Sequence, residues 1–215
     1  MLNHVLLPLS HAVTYPAMQQ RINRLLRDRA QAGSDKEAID RHMWELYGET
    51  WAVMFTDLAG FSRATERFGI THFLQVIFES FRVYIPIVEE HDGVLLKVEG
   101  DSMLVLFRHA KSALDCALAM QRAGDRYNRK RPLEERLLLS IGLGYGPVLK
   151  FGDQDVYGQE VNVACKLGED IGEPGDILCS EAFRSQFSGA RPGFDPSAKS
   201  PRGTSRSWRI RHKAK

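Results

Sequence analysis

The first fifty residues carry the hydrophobic pattern of two amphipathic helices. In the first segment apolar residues recur on one helical face, while mostly arginines occupy the other; the apolar residues are Met18, Ile22, Leu25 and Leu26. Ser34 and Glu37 have the spacing of a capping box, which predicts a second helix ending near Tyr47 and Gly48. We therefore expect a helical N-terminal extension over residues 1–50 and a separate domain over residues 51–215.

From Trp51 onward the pattern changes from helical to strand-like. Residues 53–55 form a compact apolar run that stops at Asp57, as expected for a buried strand that enters a turn. A helix is predicted next, because apolar residues then recur at steps of three and four; they are Leu74, Ile77, Phe78, Phe81, Tyr84, Ile85 and Val88. This helix should pack on a sheet.

The remaining pattern predicts further strands and two more helices. Residues 94–98 and 103–107 flank a short acidic turn, which predicts a hairpin, and small residues at helical spacing follow over residues 110–121. The later elements are predicted as strands over residues 137–145, 148–151 and 207–211 and a helix over residues 161–167. This order is typical of a ferredoxin-like α+β sandwich, in which helices cover one face of a mainly antiparallel sheet.

Composition narrows the class of protein. The 215 residues are 43% apolar and 26% charged, which suits the core of one domain with a small appendage. The formal net charge of +2 does not indicate nucleic acid or a membrane surface as a partner. Three cysteines are too few for a disulfide framework or a tetrahedral zinc site. No stretch reaches the roughly 18 to 20 apolar residues of a membrane span, and the first residues do not match a signal peptide, so we expect a soluble, cytoplasmic protein.

The first candidate cluster is the segment from Phe55 to Ser62. It places the Asp57 carboxylate at a strand end beside Gly60, a residue that lets backbone NH groups approach a ligand closely. Hard cations such as Mg²⁺ take carboxylate and carbonyl oxygens together with substrate phosphates. An aspartate before a glycine is more commonly a turn or a helix cap, and this alternative stays open for the cluster by itself.

The second and third candidate clusters carry groups that suit a nucleotide. Asp101 lies in the predicted hairpin turn, where it could join Asp57 if their strands are neighbours, although a solvated acidic turn explains it equally. Lys97 on the preceding strand could simply extend its amine to water. Asn162 and Lys166 are four residues apart and therefore share one face of a helix, which could also be an ordinary exposed face.

Taken together, the three clusters resemble the catalytic core of class III adenylate and guanylate cyclases over a region from roughly Trp51 to Phe187. The resemblance implies an adenylate cyclase of intracellular signalling that converts ATP to cyclic AMP and pyrophosphate in a site shared by two copies of the chain. The implied site residues are Asp57, Leu58 and Asp101 for two ions of Mg²⁺ or Mn²⁺, Lys97 and Asp155 for adenine, Gly60 and Phe61 for substrate, and Asn162 and Lys166 for catalysis.

One departure from the family pattern leaves a second function open. Cyclases of this kind usually have Arg four residues after the helical Asn, and this chain has Lys166, which lacks the planar fork of Arg. The alternative is a weak or inactive cyclase fold that binds nucleotides or dimerises. The family's C-terminal phosphate-binding basic residue has three possible matches here: Lys199, Arg202 and Arg206. Nucleic-acid binding through residues 129–131 and the basic tail is a third, less favoured alternative.

Overall fold

The computed structural model describes residues 3–59, 68–188 and 192–212, with side chains described from residue 17 onward. The chain forms two compact units. The smaller unit holds Met1–Glu49 with Leu149–Val156, and the larger unit holds Thr50–Val148 with Tyr157–Lys215. The boundary that we predicted between residues 50 and 51 stays a prediction. Among the described residues, no helix has both the length and the hydropathy that crossing a bilayer requires.

The smaller unit begins with two helices, α1 (Asn3–Ala30) and α2 (Lys36–Tyr47). Arg29 ties them together, because its Nε and Nη2 donate to the two carboxylate oxygens of Asp40 at 2.5 and 2.9 Å. A paired arrangement of this kind fixes orientation as well as distance. The two helices predicted for this part of the chain are present and are joined by a bidentate ion pair, but Leu26 of the predicted apolar face is 48% exposed.

The start of α2 differs from the prediction by one residue. Asp35 is the N-cap, and its side chain accepts a hydrogen bond from the Ala38 backbone N–H at 2.9 Å. Ser34, which we expected to cap the helix, instead donates from its Oγ to the Arg29 carbonyl at 3.0 Å. Aspartate and serine are about equally good N-caps, so the sequence pattern did not distinguish them.

Eight strands in the described part of the chain form one sheet with helices packed on it. The elements after α2 are β1 (Gly48–Leu58), α3 (Ile70–Glu90), β2 (Val94–Glu99), β3 (Ser102–Phe107), α4 (Ala110–Asn128), β4 (Leu139–Phe151), β5 (Asp155–Tyr157), α5 (Gln159–Lys166), β6 (Ile177–Ser180), α6 (Glu181–Arg184), β7 (Phe194–Pro196) and β8 (Ser207–Ile210). A 3₁₀ turn covers Leu133–Glu135, and a π turn covers Leu167–Ile171 directly after α5.

The sheet order is β2-β3-β1-β4-β6-β8-β7, with β5 paired to β4. The pairs β1–β3, β2–β3, β6–β8 and β7–β8 are antiparallel, and β4–β6 is parallel. The predicted α+β class with one mainly antiparallel sheet is therefore confirmed. One predicted break is wrong, because β4 continues as a single strand through Gly146 and Pro147.

Helices cover both faces of the sheet, and the expectation of one covered face is wrong for α5. Successive side chains of a strand point to opposite faces. Ile141 and Leu143 of β4 belong to the main core, which α3 and α4 cover. Gly142 and Gly144, at the positions between, face α5 on the other side.

Helix α5 lies almost directly on the backbone of β4. A Cβ atom added at Gly142 would stand 2.0 Å from the Ala164 carbonyl oxygen, and one at Gly144 would stand 2.5 Å from the Glu160 carbonyl oxygen. At Gly146 the nearest atom is a side-chain carbon, Glu160 Cγ, at 3.0 Å. The missing side chains of this glycine track, Gly142, Gly144 and Gly146, thus allow the helix its close approach to the strand.

Replacing Gly142 with Ala should therefore be far more disruptive than the same change at Gly146. The Gly142→Ala methyl meets a helix backbone that cannot move aside, so we expect a loss of about 3 kcal/mol or more in the free energy of unfolding. The Gly146→Ala methyl would meet only one side-chain carbon, Glu160 Cγ at 3.0 Å, which has to shift by a few tenths of an ångström, so this change should cost about 1 kcal/mol. Urea unfolding of both variants measures the difference, and equal losses would contradict the close seating of α5.

Candidate functional site

Two acidic side chains meet at the end of the β1–β3 pairing. Thr56 on β1 pairs with Met103 on β3, and one step further Ser102 Oγ donates to Asp57 Oδ1 at 3.1 Å. Asp101 immediately precedes Ser102 in the β2–β3 turn, so the register brings both predicted acids to the same end of the sheet. The prediction that their strands are neighbours is confirmed.

The acidic pair is electrostatically unfavourable when it is ionised. Burial, together with the negative charges of Asp101 and Glu169, raises the pKa of the Asp57 carboxyl to about 6, while the hydrogen bond from Ser102 opposes the shift. Burial also raises the pKa of Asp101, opposed by a hydrogen bond from its own backbone. Half-buried carboxylates that repel each other form a place where a cation is favoured.

The donor set suits a cation that is shared with a ligand. Leu58 is only 4% exposed and its side chain lies in the main core, so only its backbone carbonyl is a candidate ligand. Within the described residues, no three His, Cys, Asp or Glu side chains come together in a way that could hold a metal. Mg²⁺ is commonly held by one or two carboxylates plus substrate phosphates, and this pair fits that pattern. The predicted contributors Gly60 and Phe61 lie outside the described residues.

Helix α5 presents the predicted amide and amine on its outer face. Asn162 and Lys166 are both exposed, whereas Val163 and Leu167 are fully buried with Leu178 of β6 in a small apolar cluster. This burial fixes which side of α5 faces the sheet. The two polar side chains are therefore held on a seated helix with their ends available to a ligand.

Lys97 lies on β2 beside an irregularity in the sheet. The β2–β3 register shifts between Leu95 and Lys97, and Lys97 then pairs with Leu104. A bulge of this kind changes the direction of the side chains that follow it. The Lys97 side chain is half-buried and is therefore partly shielded from water.

Asp155 belongs to the smaller unit, in the hairpin that joins β4 to β5. Its Oδ1 accepts from the Val156 backbone N–H at 2.9 Å. The turn is closed by Lys150, whose amine donates to the Gly152 carbonyl at 2.6 Å and to Asp153 Oδ1 at 2.9 Å. The hairpin carrying Asp155 is thus held by its own hydrogen bonds.

The same hairpin packs on the N-terminal helices of the smaller unit. The rings of Tyr47 on α2 and Phe151 on β4 meet edge to face with centroids 5.2 Å apart. The Met18 methyl lies 3.4 Å from where a Cβ at Gly152 would stand. Residues predicted as an extension therefore support the segment that carries a predicted site residue.

Two contributors to the site were missed from sequence. Ser102 hydrogen-bonds Asp57, and its position directly after Asp101 was the available signal. Glu169 acts on Asp57 from the π turn after α5, and no local pattern indicated this. The three candidate C-terminal basic residues are exposed in the loop before β8. Among them, Arg202 precedes Gly203, whose carbonyl accepts a hydrogen bond from Gln159 Nε2 at the start of α5.

The raised pKa of Asp57 predicts how the metal-free protein depends on pH. A folded-state pKa of about 6 against an unfolded value near 3.8 means that ionising Asp57 costs stability as pH rises through this window. In a chelator at pH 8, Asp57→Asn should therefore raise the free energy of unfolding by about 1 kcal/mol, a value already reduced for solvent screening. The advantage should shrink towards pH 4.

Thermal unfolding between pH 4 and pH 8 measures this dependence. Asp170→Asn removes one exposed carboxylate from the π turn of the same unit and serves as the matched control. At pH 8 this control should change the free energy of unfolding less than Asp57→Asn does. An Asp57→Asn variant that is less stable than the parent at pH 8 would contradict the electrostatic description of the pair.

Known proteins resemble this chain in both sequence and structure. "Putative adenylate cyclase 3" of Rhizobium meliloti is 31% identical over 64% of this chain and 23% of its own length. "Adenylate cyclase" of Streptomyces coelicolor is 28% identical over 73% of this chain and 37% of its own length. The crystal structure of an adenylate/guanylate cyclase/hydrolase from Silicibacter pomeroyi superposes with a TM-score of 0.62 at 29% identity, over 76% of this chain and 95% of that one. The chain thus spans well under half of the two sequence relatives.

The match to a known family covers the part of the chain that contains the predicted metal-binding, base-binding and catalytic residues. The adenylate and guanylate cyclase catalytic domain family matches residues 47–201, and the predicted site runs from Asp57 to Lys166. Since this match extends over more than half of the chain, the chain belongs to the adenylate and guanylate cyclase catalytic domain family.

Proposed function

We propose that this chain is an adenylate cyclase that converts ATP to 3′,5′-cyclic AMP and pyrophosphate at the interface of a homodimer. The observation that carries the proposal is the half-buried pair of Asp57 and Asp101, which the β1–β3 pairing brings to one end of the sheet, where Ser102, the residue after Asp101, donates to Asp57. The names of the two bacterial relatives point in the same direction. Lys97 and Asp155 supply the preference for adenine.

Two divalent ions, Mg²⁺ or Mn²⁺, would be held by Asp57 and Asp101 with the Leu58 carbonyl. Such ions lower the pKa of a bound hydroxyl and neutralise a departing pyrophosphate. The raised pKa of Asp57 and the negative charge nearby both favour binding of a cation at this place. The protein's own part is to hold the carboxylates in register and partly out of water.

The reaction needs positive charge and orientation opposite the carboxylates. The ribose 3′-hydroxyl gives its proton to solvent water, its oxygen bonds to the α-phosphorus, and the bond from that phosphorus to the leaving pyrophosphate breaks. Asn162 would orient the ribose, and Lys166 would stabilise charge that develops on the phosphate oxygens. In other enzymes, a single electrostatic group of this kind stabilises the transition state by about 3 to 4 kcal/mol.

The exposure of two proposed catalytic groups supports a site shared by two chains. Asn162 and Lys166 are exposed on the outer face of α5, available to a triphosphate held by the carboxylates of a second copy. Each dimer would then contain two sites, each built from both chains. Of the three C-terminal basic residues, Arg202 is the favoured phosphate contact, because its neighbour Gly203 is bonded to the start of α5.

Base selection follows from donors and acceptors. Adenine offers an N6 amino donor, which Asp155 can accept, and an N1 acceptor, to which Lys97 can donate. Guanine presents the reverse pattern at both positions. A buried mismatch leaves polar groups unpaired, so the site should reject GTP more strongly than shape alone would allow.

Lys166 motivates a second candidate function. Lys keeps the positive charge but cannot grip two oxygens as the Arg fork does, so a nucleotide-binding or dimerising module with little turnover is the alternative. Both metal carboxylates and both base selectors are present in the chain, which favours catalysis.

The central prediction is formation of cyclic AMP in a site made from two chains. Purified protein incubated with ATP or GTP and either Mg²⁺ or Mn²⁺ should yield cyclic AMP from ATP, identified by mass spectrometry. Asp57→Ala and Asn162→Ala should each be inactive alone, but mixing them should restore activity, because the heterodimer assembles one intact site. Tight ATP binding without product would favour the inactive alternative, and a heterodimer that stays inactive would remove the shared site.

The second prediction concerns the base. Amides both donate and accept hydrogen bonds, so the double variant Lys97→Gln, Asp155→Asn should no longer discriminate against guanine. We expect the ratio of kcat/KM for ATP to that for GTP to fall by roughly tenfold or more. Gln154→Ala changes an exposed polar side chain of the same hairpin and should leave the ratio unchanged. An intact ATP preference in the double variant would count against both assignments.

A further inference from the structure

Glu160 is a buried acid in the first turn of α5 and has no role in the mechanism above. Glu160 is 7% exposed, and it lies against Gly144 and Gly146 of the glycine track. One carboxyl oxygen, Oε2, accepts from Ser180 Oγ at 2.5 Å and from the Tyr145 backbone N–H at 3.1 Å. Buried glutamate is rare in proteins unless it has partners, and these two donors are its partners here.

This single oxygen links three elements of the larger unit. Tyr145 belongs to β4, Ser180 ends β6 and Glu160 begins α5. Ser180 Oγ also accepts from the Phe183 backbone N–H at 3.1 Å and so caps α6. The start of α5 is therefore tied to both strands beneath it, where the glycine track leaves room for the carboxyl group.

Hydrogen bonding, and not ion pairing, explains how Glu160 is accommodated. In the described part of the chain no salt bridge to it is found. Burial raises the pKa of the Glu160 carboxyl, while the bonds from Ser180 and Tyr145 lower it. What the fold uses is an acceptor oxygen at a fixed point, and a neutral side chain can supply one.

Glu160 and the proposed catalytic groups point in opposite directions from the same helix. Residues two apart on an α-helix are separated by about 200° around its axis, so Asn162 faces outward when Glu160 faces the sheet. Lys166, in the last turn, is exposed in the same way. Moving or tilting the start of α5 would therefore displace both outward groups together.

We propose that Glu160 is a positioning residue that fixes α5 on β4 and β6 and thereby sets where Asn162 and Lys166 stand against the substrate. This inference rests on the proposed function for its catalytic consequence, but the anchoring of the helix is independent of it. Glu160 itself does not reach substrate, because its carboxyl group is turned into the sheet.

A pair of substitutions at Glu160 tests the inference. Glu160→Met keeps length and burial but removes the acceptor, whereas Glu160→Gln keeps an acceptor oxygen and removes the charge. We expect Glu160→Met to lower kcat by roughly 10- to 100-fold with KM for ATP changed less than about threefold, as for a misplaced transition-state group. Glu160→Gln should stay within about twofold of the parent in kcat.

Hydrogen exchange gives a readout that does not depend on turnover. Amides of α5 should exchange faster in Glu160→Met than in the parent, and Glu160→Gln should restore the protection. A fully folded Glu160→Met variant with unchanged kcat and unchanged α5 exchange would overturn the inference. Loss of activity in Glu160→Gln equal to that in Glu160→Met would also overturn it, since charge would then be what matters.

A second site keeps the test informative if Glu160→Met does not fold. Ser180→Ala removes the 2.5 Å hydrogen bond and also the cap of α6, so it should lower kcat and loosen α5 in the same sense. Ser185→Ala removes the hydrogen bond from Ser185 Oγ to the Glu181 carbonyl in α6 without touching Glu160, and should leave both measurements unchanged. Equal behaviour of the two serine variants would overturn the inference.

The two proposals fail in different ways. If the parent protein makes no cyclic nucleotide from ATP or GTP, the proposed function fails while the exchange measurement still decides the anchoring. If the parent is active and the Glu160 variants match it in kcat and in exchange, the positioning role alone fails.

Discussion

The contact between α5 and the bare backbone of β4 is the constraint on which the arrangement of the site depends. Side chains at Gly142 or Gly144 would overlap the helix carbonyls, so the helix can lie this close only because both positions lack Cβ atoms. Just after α5, a Cβ at Gly168 would stand 3.0 Å from the Phe55 carbonyl of β1. The π turn that continues from α5 is therefore in close backbone contact with the strand that carries Asp57, which leaves little freedom to shift.

The acidic pair, in contrast, lowers the stability of the protein by itself, and a bound cation would restore that stability. Asp57 and Asp101 are both half-buried with raised pKa values, so their ionised forms are disfavoured in the protein alone. Ser102 offsets only part of this cost through its hydrogen bond. An arrangement that is unfavourable by itself and is relieved by a cation is common at functional sites.

Sequence predicted what depends on local pattern and missed what depends on contacts between distant segments. The long helix α3 and the β2–β3 hairpin were found from periodicity, and the acid pair from the resemblance of its two segments to a known family. Strands β5, β6 and β7 have only three or four residues and were missed, although β8, with four residues, was predicted. Helix α5 can cover the second face of the sheet because of the glycine track. The three glycines are visible in the sequence of β4, but they indicate a helix contact only once the helix that packs there is known. The support of the Asp155 hairpin by α1 and α2 is likewise non-local.

Lys166 makes the seating of α5 matter more than it would for an Arg. A guanidinium fork defines its own geometry on two phosphate oxygens, whereas an ammonium on a flexible four-carbon stem contributes a point charge whose position depends on the backbone that carries it. In the proposed mechanism, precision that the side chain lacks must come from the helix. Two features supply it: the glycine track below α5 and the Glu160 oxygen bonded to β4 and β6. The buried acid at the start of this helix thus compensates for the flexible lysine at its end, because it fixes the backbone from which the lysine extends.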